Sequence, residues 1–251
     1  AKSVARFPAY LQELAMFDGI AAVSEDSRDS LLDYWRWARL ANPPPVTAIT
    51  LGLDPVPADV RDSKPTPSAH PTVLVVGTLE GRKNHSALLE ACEQLWSRGL
   101  QFQLHLIGLA HPQTGRAALQ KLRALQAAGR PLRYDGPVDE ASLDRAYRDC
   151  RFTVYPSLIE GFGLPVLESM LHGKPCICSA HGALGESSRG GGCLTLPTVD
   201  AASVAEAMDR LLTDTSELAA LAAAARARTC KDWPGYAREL TEWMRTLNPR
   251  R

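Results

Sequence analysis

Between Thr72 and Cys178, short runs rich in apolar and β-branched residues alternate with segments of helical periodicity. This alternation constrains the fold of the 251-residue chain more than any other feature. The runs at 72–76, 102–107, 132–134, 152–155 and 175–178 have strand length, and helical spacing fills 84–98, 114–128, 140–149 and 164–172 between them. Strand, helix, strand in succession joins parallel neighbours through crossovers, so the expectation is an α/β fold: a Rossmann-like parallel sheet with helices on both faces. Thr114 is the expected N-cap of the second of these helices and Gly129 its C′ residue. Alanine-rich helices at 201–212 and 216–228 follow. Asp232, Trp233 and Pro234 then open a last helix with Tyr236, Leu240, Trp243, Met244 and Leu247 on one stripe.

The chain begins less regularly. Residues 3–17 read as a helix, 19–24 as a short buried strand, and Ser24 or Asp26 as the cap of a helix over 27–40. The stretch 41–71 is rich in proline, holds one small strand at 47–51, and has the composition of a linker. Lys plus Arg and Asp plus Glu both total 28, so no global charge points to nucleic acid. No apolar run approaches the ~20 residues of a membrane span, and the opening AKSVARFPAY is not a secretory signal. The six cysteines, Cys92, Cys150, Cys176, Cys178, Cys193 and Cys230, lack Cys-x-x-Cys spacing and read as free thiols of a reducing compartment. His172 and His181 near Cys176 and Cys178 lack zinc-ligand spacing.

Chemistry concentrates in PSLIEGFGLPVLESM, Pro156 to Met170. An apolar strand, a glycine turn and a helix start make a ready site for an anion or a sugar, because exposed backbone N–H groups point at the ligand and glycines let it approach. Glu160 stands at the mouth of the turn and Glu168 inside the first helical turns. Two carboxylates flanking a phosphate-friendly turn suit a ligand with hydroxyls at both ends and phosphate between. Arg82 and Lys83 lie after Gly77 at another strand-to-helix junction, where two cations oppose the helix dipole unless something negative sits above them. Blander readings stay open beside these: a solvated loop pair for Arg82 and Lys83, surface carboxylates for both glutamates, and plain core for Phe162.

Glu, seven residues, Glu around EGFGLP resembles the donor-site signature of retaining GT-B glycosyltransferases of family four. TVLVVGTLEGRKNHSALLEA (72–91) resembles the family's first C-domain strand, glycine turn and basic pair. LHLIG (104–108), YDGPVDEASLDRAYRDC (134–150) and GKPCICS (173–179) match in the same order. The resemblance implies the C-terminal, donor-binding half of such an enzyme: residues 1–45 as a remnant of the N-terminal acceptor domain, 46–70 as the interdomain linker, 71–230 as the donor domain, and 231–251 as a helix crossing back. It also implies roles. Glu160 contacts donor-sugar hydroxyls and supports positive charge at the anomeric carbon; Arg82 and Lys83 bind the diphosphate; Glu168 accepts from the ribose hydroxyls. Gly77, Gly161, Phe162, Gly163 and Leu164 belong to the phosphate and sugar subsites, while Gly136, Pro137 and Val138 read the base through the main chain. The family often places Arg directly after the first glycine, where this chain has Thr78. His181 and Glu186, on a 179–192 loop over the cleft, read as structural.

The reaction implied is transfer of a hexose from a nucleoside-diphosphate sugar, GDP-mannose or a related donor, to a glycan or lipid-linked acceptor of bacterial polysaccharide or lipopolysaccharide. No Asp-x-Asp pair occurs, so no metal or other cofactor is expected, and cations with helix-terminal amides would carry the leaving-group charge. The implied partners are donor, acceptor and the rest of the N-terminal domain, in the cytoplasm, with peripheral association at the inner membrane face left open. Three alternatives stand: a catalytically inactive nucleotide-sugar-binding module that regulates or scaffolds, a sugar-nucleotide epimerase, and a glycosidase using both carboxylates. The basic pair argues against the last, since glycoside hydrolysis has no phosphate to bind.

Overall fold

The computed structural model describes residues 2–57, 66 and 68–248, and the chain divides into two compact units. The larger, Pro55–Thr229, is built on a six-stranded, wholly parallel sheet. Its strands are β3 (Thr72–Val76), β4 (Gln103–Ile107), β5 (Leu132–Tyr134), β6 (Phe152–Tyr155), β7 (Cys176–Ser179) and β8 (Cys193–Leu196), in the order β5-β4-β3-β6-β7-β8. The chain therefore builds outward from β3 to one edge, returns to lay β6 beside β3, and builds to the other edge. A crevice opens beyond the carboxyl ends of β3 and β6 where that order reverses, the place where open α/β sheets bind ligands.

Helices α3 (His85–Ser97), α4 (Arg116–Ala127) and α8 (Ala201–Thr213) bury one face of the sheet. Leu88, Leu95, Phe102, Leu104, Leu106, Leu122, Val204 and Met208 there are wholly buried. Helix α5 (Glu140–Asp149) covers the other face through Ala146 and Tyr147 against Leu74 and Ile107. Helices α6 (Leu164–Leu171) and α7 (Gly182–Ser188) complete a third cluster with Tyr155, Val166, Met170 and Leu184, and α9 (Thr215–Ala227) adds Ala225. The four central strands, β3, β4, β6 and β7, are largely buried because both faces of the sheet are covered there, which explains their mostly apolar runs.

The smaller unit joins Ala1–Asp54 to Cys230–Arg251. It holds α1 (Lys2–Glu13), a 3₁₀ turn (Leu14–Met16), β1 (Ile20–Ala22), α2 (Glu25–Trp37), β2 (Val46–Ala48) and α10 (Trp233–Met244). β1 and β2 pair in parallel, Ile20 opposite Val46. Ser24 caps α2, its hydroxyl accepting from Ser27 N–H at 3.0 Å. Trp35, 1% exposed, donates its indole N–H to the Leu11 carbonyl at 2.7 Å and so ties α2 to α1. Leu53 bridges to Asp232 just ahead of α10, so that helix groups with the opening residues.

Several expectations need correction. α4 is capped by Gly115, not Thr114, and without a side-chain bond; the Thr114 N–H instead donates to His111 Nδ1 at 3.1 Å. The Leu79–Ala110 bridge crowds this corner until a Cβ on residue 115 would meet the Leu79 carbonyl at 2.2 Å, so only glycine begins the helix there. The expected strand at 47–51 is confined to Val46–Ala48, and the expected 179–192 loop contains α7. The edge strand β8 was not expected at all: three glycines precede it, and its partly exposed Cys193, Leu194 and Thr195 carry little apolar signal. Much of the proline-rich linker, 58–65 and 67, lies outside the described residues.

Gly108, at the end of β4, has φ +142°, and a Cβ there would lie 2.2 Å from the Gly77 carbonyl. Backbone strain and clash coincide. Gly108→Ala is expected to cost about 3 kcal/mol and lower Tm by roughly 6–12 °C for a chain of this size. A thermal melt within 2 °C of wild type would show that β3 and β4 do not approach this closely.

Candidate functional site

Two loops meet at the crevice. After β3 the chain passes Gly77 and Thr78 and makes a 3₁₀ turn, Gly81–Lys83, before Asn84 in left-handed conformation starts α3. Asparagine tolerates that conformation better than most residues. After β6 the turn carrying Ser157 to Gly163 leads into α6. Gly163 has φ +95°, and a Cβ on it would lie 2.8 Å from Leu184, so this helix start also demands glycine. Pro165 follows in the first turn, where its missing N–H costs nothing. Ser187 on α7 donates to the Phe162 carbonyl at 2.5 Å and pins the turn from the far side.

The structure brings Arg82, Lys83 and Glu160 together. Glu160 Oε2 lies 2.6 Å from Arg82 and Oε1 2.7 Å from Lys83 Nζ. Tyr155, at the end of β6, donates its hydroxyl to Glu160 Oε1 at 2.8 Å. It also hydrogen-bonds Lys83, whose ammonium stands 4.5 Å from the ring centroid. Arg82 reaches a second carboxylate, Glu80, at 2.7 Å, and the Ile159 carbonyl at 3.1 Å. Burial pushes the Glu160 carboxyl up, but hydrogen bonds from Lys83, Arg82 and Tyr155 outweigh it and hold the group below its ordinary value of 4.5. Burial lowers Arg82, and its bond to Glu160 more than restores it. His85 follows in the first turn of α3 with Nδ1 buried and unpartnered. Burial and nearby Lys83 depress it to about 4, so it is neutral near pH 7 and adds no charge. The basic pair was expected to wait for an anion; Glu160 already supplies one.

Glu168 points from the partly exposed side of α6 and accepts from the Tyr147 hydroxyl of α5 at 2.8 Å. Gly77 lies beside Lys83 and Tyr155, with Lys83 Nζ 3.9 Å from where a Cβ would stand. Gly136 closes the end of β5 by accepting at its carbonyl from the Gly108 N–H at 2.8 Å. Val138 instead packs against the Leu74 and Ile107 cluster. It also borders a recess of about 590 Å³ over β4, β5 and α5, apart from Arg82, Lys83 and Glu160. The charged walls of that recess largely satisfy one another: His105 lies 2.9 Å from Asp135, Arg133 2.6 Å from Asp135, and Arg148 2.9 Å from Asp149. Among the described residues no group of three or more His, Cys, Asp and Glu could hold a metal ion. His181 Nε2 donates to the Pro197 carbonyl, 2.9 Å away, a structural contact. Sequence reading missed Tyr155 and Tyr147; the one available signal is a tyrosine ending an otherwise compact strand, FTVY, just before the turn.

With that geometry in place, the comparisons are direct. The pattern of the family described as "Glycosyl transferases group 1" matches residues 58–228, and the chain belongs to that family. It is 27% identical over 168 residues to the serotype-specific mannosyltransferase WbdA of Escherichia coli, covering 62% of this chain and 20% of that protein. It is 36% identical over 132 residues to the O-antigen chain mannosyltransferase B of Escherichia coli, covering 52% and 34%. The matched stretch therefore spans between a fifth and about a third of the length of these relatives. Among solved structures it is similar to sucrose-phosphate synthase from Thermosynechococcus elongatus, with TM-score 0.77, 26% identity, and 96% of this chain and 61% of that one covered. It is also similar to Anabaena HepE in complex with UDP-glucose, with TM-score 0.76, 18% identity, and 96% and 68% covered. These neighbours have the GT-B fold.

Glu160 titrates below its unfolded value, so its contribution to stability is complete above about pH 4.5 and fades as pH falls through the lower folded value. Glu160→Gln should lose roughly 1–3 kcal/mol at pH 7, because Lys83 keeps only a neutral partner. In urea unfolding the gap to wild type should narrow as pH drops below 4.5. A gap independent of pH would show that the charge on Glu160 does not stabilise the fold.

Proposed function

We propose that this chain is the donor-binding part of a retaining hexosyltransferase that uses a nucleoside-diphosphate sugar, GDP-mannose or a close relative, to extend a glycan or lipid-linked acceptor of a bacterial polysaccharide. The observation that carries this reading is the convergence of Arg82, Lys83 and Glu160 at the β3–β6 switch point, beside the glycine-turned start of α6. Two cations and a helix N-terminus at one crevice suit a diphosphate, and the carboxylate between them suits the sugar attached to it. The mannosyl donor is supported by the mannosyltransferase names of the relatives.

In this reading the diphosphate takes over Arg82 and Lys83, and Glu160 turns its oxygens to sugar hydroxyls next to the anomeric carbon. Gly77, Gly161, Phe162, Gly163 and Leu164 line the phosphates and sugar with backbone, Gly136 and Val138 flank the base, and Glu168 accepts from the ribose. As the anomeric bond breaks, positive charge grows near Glu160 and negative charge on the phosphate held by Arg82 and Lys83. Both are stabilised by groups already in place. The residues alone supply this charge compensation, so binding does not require a divalent cation. No helix among the described residues is long and apolar enough to cross a membrane; peripheral contact with an inner membrane face remains part of the proposal.

Titration calorimetry with GDP, UDP and ADP in EDTA tests the site, and binding that disappears without divalent cation would refute the metal-free reading. Glu168→Ala should weaken the bound diphosphate about tenfold or more. Glu160→Ala should leave it unchanged or tighten it, because a bare diphosphate carries no sugar for Glu160 to hold and the variant removes the carboxylate paired to Arg82 and Lys83. In an active enzyme containing this domain, Glu160→Ala should instead lower kcat by about 10²-fold or more. Equal loss of diphosphate affinity in both variants would show that the two glutamates do not divide the donor between them.

A further inference from the structure

Glu168 is held by a group of side chains that none of the roles above uses. Tyr147 is 1% exposed, and its hydroxyl has no bulk water to turn to; it donates to Glu168 Oε2 at 2.8 Å. The Tyr147 ring is fixed in turn by His172, stacked on it with centroids 4.5 Å apart and planes inclined at 16°. His172 is anchored at both nitrogens: Nδ1 lies 2.8 Å from the Glu168 carbonyl oxygen and Nε2 3.1 Å from Asp144 on α5. The assembly thus links the end of α6 to α5 through a stacked pair, and its one directed product is the orientation of the Glu168 carboxylate.

We infer that Tyr147, seated by His172 and Asp144, is the positioning residue that presents Glu168 to the two ribose hydroxyls of the donor. A glutamate on a helix surface has many rotamers open to it, and binding ribose through a free carboxylate would forfeit that freedom. Tyr147 removes that freedom before the ligand arrives. Its bond occupies one lone pair of Oε2 and leaves Oε1, with the remaining site on Oε2, as acceptors toward the crevice. Burial and the neighbouring Glu168 charge keep the Tyr147 hydroxyl protonated, so it donates at any ordinary pH. With its hydroxyl given to the carboxylate, Tyr147 acts on the donor only through Glu168. Its effect is preorganisation.

This inference rests on the reading of Glu168 as the ribose acceptor, and the experiment separates the two. Affinities of the chain for GDP and 2′-deoxy-GDP, or for the uridine pair if the chain binds uridine, give a ribo-to-deoxy ratio. Wild type should prefer the ribonucleotide, and Glu168→Ala should abolish that preference. Tyr147→Phe, which keeps ring and stack, should weaken the ribonucleotide roughly tenfold and the deoxynucleotide, which keeps only the 3′-hydroxyl contact, distinctly less, so the ratio falls toward that of Glu168→Ala. A merely structural tyrosine would weaken both nucleotides equally or only lower Tm; either result overturns the inference while the ribose reading stands. A ratio unchanged by Glu168→Ala sinks the ribose reading and the inference with it. Should Tyr147→Phe fail to fold, His172→Phe keeps the stack and removes both anchoring nitrogens; a partial fall in the ratio supports the inference, and an unchanged ratio overturns it.

Discussion

The pairing of β3 with β6 governs this molecule. These strands are neighbours in the sheet although β4, β5 and the helices between them intervene in the chain. Because the order reverses there, the loops leaving β3 and β6 diverge to opposite faces and leave a crevice with no helix packed across it. The basic pair and its carboxylate lie along that line. The 3₁₀ turn brings Arg82 and Lys83 from one side, the glycine turn brings Glu160 from the other, and Tyr155 closes the end of β6 between them. A parallel sheet whose strands followed sequence order would carry the same residues on separate loops, where none of these contacts would form.

The backbone geometry around the crevice is set by close approach as much as by hydrogen bonding. Gly108 must be glycine because the Gly77 turn runs against it, Gly115 because the Leu79 carbonyl does, and Gly163 because α7 presses on the start of α6. Such contacts hold the loops at fixed separations without large side chains. The cations and carboxylate can therefore meet at hydrogen-bond distance. This links packing to the site directly: the rigidity that positions the charged groups comes from the ends of the central strands beneath them and from Ser187 behind the turn.

The fold was largely legible in the sequence because every central strand is buried on both faces and therefore reads as a short continuous apolar run. Where burial becomes partial the signal fades, which is why β8 and α7 escaped notice. The Thr114 cap was misread for a related reason. Capping preference is local, but the start of α4 is dictated by the Leu79–Ala110 bridge, a contact between segments far apart in the chain. At the site, residue types and spacing singled out Arg82, Lys83, Glu160 and Glu168. They could not show that Glu160 is the counter-ion of the basic pair, nor that two tyrosines hold the two glutamates. Those relations depend on which loops the topology places together, and no periodicity within one segment encodes that.

The charges at the crevice nearly balance: Arg82 and Lys83 stand against Glu160 and Glu80. Lys83 and Glu160 are largely buried while Arg82 is about half exposed, and a cluster of this kind is a poor source of stability, since desolvating the ions offsets most of their attraction. In the proposed function its use is ligand exchange: an arriving diphosphate would compete with Glu160 for Arg82 and Lys83, offering more oxygens in bidentate reach of the guanidinium. The displaced carboxylate would stay within the same crevice, still anchored by the Tyr155 hydroxyl. Binding the anion and freeing the carboxylate are then two sides of one exchange, which ties the proposed role of Glu160 at the sugar to the arrival of the phosphates.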